Sequence, residues 1–129
     1  MDRTERRHAR ARAGREAEDL ACRWLAAQGW EILARNARIG RDELDIVARD
    51  GATVVFVEVR SRRADSALVP EATLDRGKRE RLIRAAAGYI ARHGLGDRPC
   101  RFDLVAVTRS RDGWATLRHH RGVFVDDAI

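Results

Sequence analysis

Lysine is almost missing from this chain. Lys78 is the only one, and the other 25 basic residues are arginines. A bias that complete fits a genome-wide codon preference, so the number of arginines alone does not argue for a polyanion partner. Cysteine is scarce too. Cys22 and Cys100 are too few and too far apart for a disulfide framework, and no Cys-x-x-Cys spacing offers a zinc site. Both are read as ordinary reduced, buried thiols. No run approaches the roughly 18 apolar residues of a membrane span, and residues 1–15 hold no apolar segment that could act as a signal peptide. These absences predict a cytoplasmic protein that makes no membrane contact. Aromatic residues are only 5% of the chain, and none are set out as a platform for single-stranded bases. Trp24, Trp30 and Trp114 are expected in or near the core.

What is present fits one folded domain. The 129 residues are 44% hydrophobic and 36% charged, enough for a real core but too few for two. No repeat, low-complexity tract or linker divides them. The formal charge is +6, and most of it sits at the start, where six arginines between Arg3 and Arg15 face only Asp2 and Glu5. Residues 1–13 are therefore read as a basic arm, either ordered only on binding or idle, preceding a domain over 14–129. Such an arm suits a polyanion and would make binding salt-sensitive.

Periodicity gives the order of elements. Ala17, Leu20, Ala21, Trp24 and Leu25 recur at helical spacing, which predicts a helix over about 14–28 with Gly29 as its C-cap. Trp30-Glu31-Ile32-Leu33 starts a short strand. Leu44, Ile46 and Ala48 alternate with Glu43, Asp45 and Val47, and Asp50-Gly51 turns into a strand over 53–60. Residues 61–72 read as loop. Thr73 is placed to cap a second helix reaching about His93, with Leu82, Ile83, Ala86, Ala87 and Ile90 on its apolar face. Gly94 and Gly96 stop it. Strands around 102–107 and 114–118 follow.

The chemistry is concentrated in Asp42-Glu43-Leu44-Asp45 and Phe56-Val57-Glu58-Val59-Arg60. Glu58 and Arg60 interrupt an apolar strand, where charge is costly unless it pairs or binds a metal. Pairing about the Asp50-Gly51 turn brings Asp45 and Glu58 to the same open end of neighbouring strands. Two carboxylates there can hold Mg²⁺ or Mn²⁺ through oxygen, with Arg60 stabilising charge on a phosphoryl group. The alternative is a surface hairpin of alternating charge, since charged residues are mostly exposed. Glu43 could add a third ligand, though a solvated strand start suits it better. Arg62 and Arg63 form a basic cluster beyond the carboxylates, and Lys78, Arg79, Arg81 and Arg84 give the second helix a basic side. His119-His120 is a weak metal candidate, because adjacent strand residues face opposite ways.

Taken together, Gly14-Arg-Glu-Ala-Glu18-Asp-Leu-Ala21-Cys-Arg-Trp24-Leu25, Asn36, Glu43-Leu44-Asp45-Ile46, Phe56-Val57-Glu58-Val59-Arg60-Ser-Arg62, Lys78 and Arg101-Phe102-Asp103 resemble the YraN-like family of bacterial proteins. The resemblance runs in order from about residue 14 to 125. It implies a single α/β domain, a central mixed sheet flanked by helices, of the restriction-endonuclease-like type shared with Holliday-junction resolvases. It further implies that Asp45 and Glu58 bind the metal and that Glu18 joins them from the first helix. Arg60 takes the place of the motif's lysine, and Asp42 stands where the family usually has glycine. Arginine keeps the charge but suits no role that needs a neutral amine.

The expectation is thus a Mg²⁺- or Mn²⁺-dependent endonuclease, or a nuclease-derived nucleic-acid-binding protein, acting on branched or structured DNA. Arg62, Arg63 and Lys78 would contact nucleic acid, more readily DNA than RNA. The resolvase-like branch also implies a homodimer. The rival readings are a binding module that kept the fold without turnover, and an interaction protein whose Asp45 and Glu58 only form salt bridges.

Overall fold

In the computed structural model, which describes residues 2–64 and 74–124, the chain forms two helices and five strands. Their order is α1 (Arg3–Ala27), β1 (Glu31–Ile39), β2 (Asp42–Asp50), β3 (Thr53–Arg63), α2 (Arg76–His93), β4 (Cys100–Arg109) and β5 (Ala115–Phe124). The five strands make one sheet in the order β1-β2-β3-β4-β5. Only β3 and β4 run parallel, joined by the α2 crossover; every other neighbouring pair is antiparallel. This is the mixed-sheet α/β domain expected from the sequence.

The helices cover opposite faces. On α1 the buried residues are Ala17, Ala21 and Leu25, spaced four apart on one stripe, and they meet Ile46, Ala48, Val55, Val57, Val105 and Val107. Alanine at two of the three positions lets the helix lie close to the β-branched surface. On the other face Leu82, Ala85, Ala86 and Tyr89 of α2 pack on Val54, Phe56, Phe102 and Leu104. The buried stripe is rotated from the expected one: Ala87 faces solvent, and Ala85 and Tyr89 take the core positions.

Several boundaries differ from the sequence reading. The first helix starts at Arg3, so residues expected as an arm are helical. Asp2 and Glu5 form a capping box, with Asp2 accepting from the Glu5 backbone at 2.8 Å. The alanines and arginines that follow are strong helix formers. Gln28, with Gly29 behind it at φ 88°, closes that helix. The second hairpin turns on Gly51-Ala52, closed by the Asp50–Thr53 pair. β3 continues to Arg63 because β4 pairs with it as far as Arg63↔Arg109. Asp75 caps α2 by accepting from the Lys78 backbone at 2.7 Å; Thr73 lies outside the described residues.

The tryptophans and cysteines also depart from expectation. Trp30 is buried, but Trp24 is 44% and Trp114 75% exposed. Cys22 and Cys100 are half-buried. Among the described residues no helix is long and apolar enough to cross a membrane.

Candidate functional site

β2 and β3 pair from Asp50↔Thr53 to Ile46↔Val57 and go no further. Asp45 and Glu58 are the next residues on each strand, where the ladder ends. The Val59 N–H, which has lost a β2 carbonyl to bond, donates instead to the Asp45 carboxylate at 2.9 Å. The β1–β2 register runs Arg35↔Ile46 and Ala37↔Leu44, so Asn36 falls opposite Asp45. Asn36 has φ 50°, a left-handed conformation that asparagine tolerates better than most residues. Its side chain bonds the Glu18 carboxylate on α1. The strand pair opens here, and three acidic residues from three elements gather at the opening.

The electrostatics are those of crowded carboxylates. Asp45 is pushed up to about 7, first by burial and then by the negative charge of Glu58. The Val59 bond and the Lys78 charge act against that rise without cancelling it. Glu18 is also raised, chiefly by burial, with the Asn36 bond opposing and the Asp45 charge adding. Glu58 is 9% exposed. Its Oε1 meets the Lys78 ammonium at 3.1 Å, while its Oε2 is buried without a hydrogen-bond partner. A buried carboxylate oxygen without a hydrogen-bond partner, beside a second carboxyl group, costs free energy, and a cation placed between them would recover it.

Lys78, expected among the nucleic-acid contacts, is directed from the start of α2 at Glu58. Its Nζ puts an amine at the carboxylates, which Arg60 in the motif position cannot do. Asn36 also went unassigned to any role, although an asparagine in a strand is a recognisable sign of irregular backbone.

The remaining candidates are placed as follows. Arg60 lies half-buried two residues beyond Glu58 on β3. Arg62 and Arg63 close that strand and reach a groove beside α1. Glu43 is exposed and lies 3.6 Å from Arg38. Asp42 is outside the site, held by two bonds from Arg84 at 2.7 and 2.8 Å. His119 is committed to Asp103 at 2.8 Å, away from the carboxylate pair. Among the described residues no group of three or more His, Cys, Asp or Glu side chains is arranged to hold a metal. The donor set is therefore two carboxylates, both hard oxygen ligands of the kind that suits Mg²⁺ or Mn²⁺ when water and a phosphate complete the shell.

The family model described as "Uncharacterised protein family UPF0102" matches residues 17–107, which include Glu18, Asn36, Asp45, Glu58 and Lys78. The chain is similar to a UPF0102 protein of Oleidesulfovibrio alaskensis, with 52% identity over 96 residues. That match covers 74% of this chain and 48% of the relative, so the chain spans about half the relative's length. A UPF0102 protein of Beutenbergia cavernae is 46% identical over 110 residues, covering 85% of this chain and 93% of its own. One from Anaeromyxobacter dehalogenans is 45% identical over 114 residues, with 88% and 84% covered.

Proposed function

The chain belongs to the uncharacterised UPF0102 family, the YraN-like group that its sequence resembles, and from that premise we propose that it is a divalent-metal-dependent nuclease of the restriction-endonuclease-like type. The substrate we infer is branched or otherwise structured DNA, and the working form we infer is a homodimer that presents two sites. One observation carries the reading: Asp45 and Glu58 meet where β2 and β3 part, with a buried Glu58 oxygen that nothing in the described structure satisfies.

Each residue has a role in that reading. Asp45 and Glu58 would hold Mg²⁺ or Mn²⁺, and Asp45 would release its proton as the cation enters. Bound metal would supply a more acidic water and neutralise charge on the scissile phosphate. Glu18, anchored by Asn36, would orient a water at the site's α1 side. Lys78 would act as a compact positive charge near the phosphoryl oxygens, and Arg60 as a second, bidentate one.

A second reading has its own support. The 3.1 Å Lys78–Glu58 pair already compensates one carboxylate, as expected of a binding module that kept the fold and uses no metal. Calorimetric titration of Mn²⁺ separates the two. Nuclease chemistry requires binding in wild type that is lost in Asp45→Ala and Glu58→Ala, with circular dichroism unchanged, followed by Mg²⁺-dependent cutting of a four-way junction. If wild type neither binds Mn²⁺ nor cuts any branched or linear DNA, yet retains DNA in EDTA, the binding module is the correct reading.

A further inference from the structure

The first turns of α1 and the ends of β3 and β4 enclose a groove of about 1530 Å³. Its lining includes Arg6, Arg10, Arg62, Arg63, Arg109 and Arg111, with no carboxylate among the described residues that line it. Glu16 pairs with Arg109 from outside the groove. α1, β3, β4 and the turn after β4 supply these guanidinium groups, so no single charged helix face accounts for them. Arg6 and Arg10 lie one helical turn apart, and Ala9, Ala13 and Gly14 occupy the same face between and beyond them. Small side chains keep that wall low; a Cβ added at Gly14 would meet nothing within 4 Å. The strand side is fixed by parallel pairing, which brings Arg63 of β3 level with Arg109 of β4.

We propose that this groove is a docking site for the phosphate backbone of duplex DNA, separate from the carboxylate pair. Among the described residues the lining is guanidinium, hydroxyl and small apolar groups without an aromatic ring. That suits phosphate contacts and offers nothing for splayed bases to stack on. Ser61 begins the strand side of the groove three residues after Glu58, about 10 Å away at strand rise. The groove thus deepens the nuclease reading by giving its substrate a second hold, but it requires no metal and no turnover. Arg6, Arg10, Arg109 and Arg111 all lie outside residues 17–107, the part matched by the family model.

The test is fluorescence anisotropy with a labelled 20-base-pair duplex in EDTA, from 50 to 200 mM KCl. Wild type should bind with a steep salt dependence. The double variant Arg6→Ala/Arg10→Ala should bind more weakly, with the slope of log K against log salt shallower by about two. Gly14→Glu raises helix propensity while placing a carboxylate in open groove space, so it should fold at least as well and bind at least about tenfold more weakly. Wild-type affinity and slope in both groove variants would overturn the proposal, as would tighter binding of a single strand of equal length. Cutting is scored separately in Mg²⁺: loss of cutting with intact groove-dependent binding sinks only the nuclease reading, and cutting with no groove effect sinks only the groove.

Discussion

Lys78 Nζ stands 3.1 Å from Glu58 Oε1, and the only lysine in the chain thereby faces the most buried glutamate of the candidate site. Glu58 is 11% exposed at its side chain and Lys78 33%, so the pair is well sheltered on one side and wetter on the other.

Removing the cation should cost more than removing both charges. Lys78→Ala leaves Glu58 buried and uncompensated, which should lower stability by about 1–2 kcal/mol, short of the 3–5 typical of a fully buried pair because Lys78 is partly solvated. Glu58→Gln in the same background should recover most of that loss. Urea unfolding of wild type, both single variants and the double variant measures the coupling. Independent, additive effects would show that the contact contributes nothing.

Asp45 makes stability depend on pH in the direction opposite to most aspartates. Its folded value of about 7 lies above the ordinary 3.8, so between those values the folded state binds more protons than the unfolded chain. Stability must then fall as pH rises through this window and level off above it. Asp45→Asn removes the penalty while leaving an oxygen to accept the Val59 N–H. Between pH 5 and 8 wild type should lose on the order of 2 kcal/mol relative to the variant. Thermal melts at several pH values read this directly. Parallel pH curves for the two proteins would mean that Asp45 titrates normally.

The pair of carboxylates was legible in the sequence for a simple reason. Glu58 breaks an apolar strand, and a two-residue turn fixes its register against Asp45 without help from the rest of the fold. The contact of Lys78 with Glu58 was not legible, because its position depends on where α2 lands on the sheet, twenty residues after Glu58. β1 was read too short since Arg35, Asn36 and Arg38 are exposed on an edge strand, which hides the alternation. The extension of β3 through Ser61, Arg62 and Arg63 draws its hydrogen bonds from β4, so polar side chains there carry no strand signal of their own.

Gly88 illustrates a contact that periodicity cannot disclose. A Cβ at this position of α2 would lie 2.4 Å from the Ile39 Cγ2 at the end of β1. That methyl is attached directly to the β-carbon and cannot swing aside as a long side chain would. Gly88→Ala should therefore lower stability by about 1–3 kcal/mol, although alanine favours helix by about 1 kcal/mol. Adding Ile39→Ala should relieve the clash, so the double variant should be more stable than the sum of the single changes predicts. Additive denaturation midpoints would place the helix farther from β1 than it stands here.

Asp103 is the other buried carboxylate, and its surroundings assign it a different task. It is 1% exposed and accepts from Arg101 at 2.8 and 3.2 Å, from the Gly122 backbone at 3.0 Å, and from His119 Nε2 at 2.8 Å. Trp24 can only donate, and its Nε1 lies 3.2 Å from His119 Nδ1. The histidine proton therefore sits on Nε2, directed at Asp103. Burial works to raise Asp103, but the bonds from His119, Arg101 and Gly122 together outweigh it and hold the carboxyl below its ordinary value of 3.8. A lowered carboxylate contributes stability that is complete above the unfolded value and lost as pH falls through the folded one. Acid unfolding should accordingly begin below about pH 4 in wild type. Asp103→Ala should cost about 2–3 kcal/mol at neutral pH by removing the partner that Arg101, His119 and the Gly122 N–H share, short of the 3–5 of a fully buried pair because Arg101 is partly solvated and keeps Asp50 at 3.6 Å. Because Asp103 is in register with Val57 and Glu58 with Leu104, the two side chains lie on opposite faces of the sheet, and the milder His119→Gln should lower the melting temperature yet leave Mn²⁺ affinity at the wild-type value. A matching fall in Mn²⁺ affinity would join the two carboxylate centres into one site.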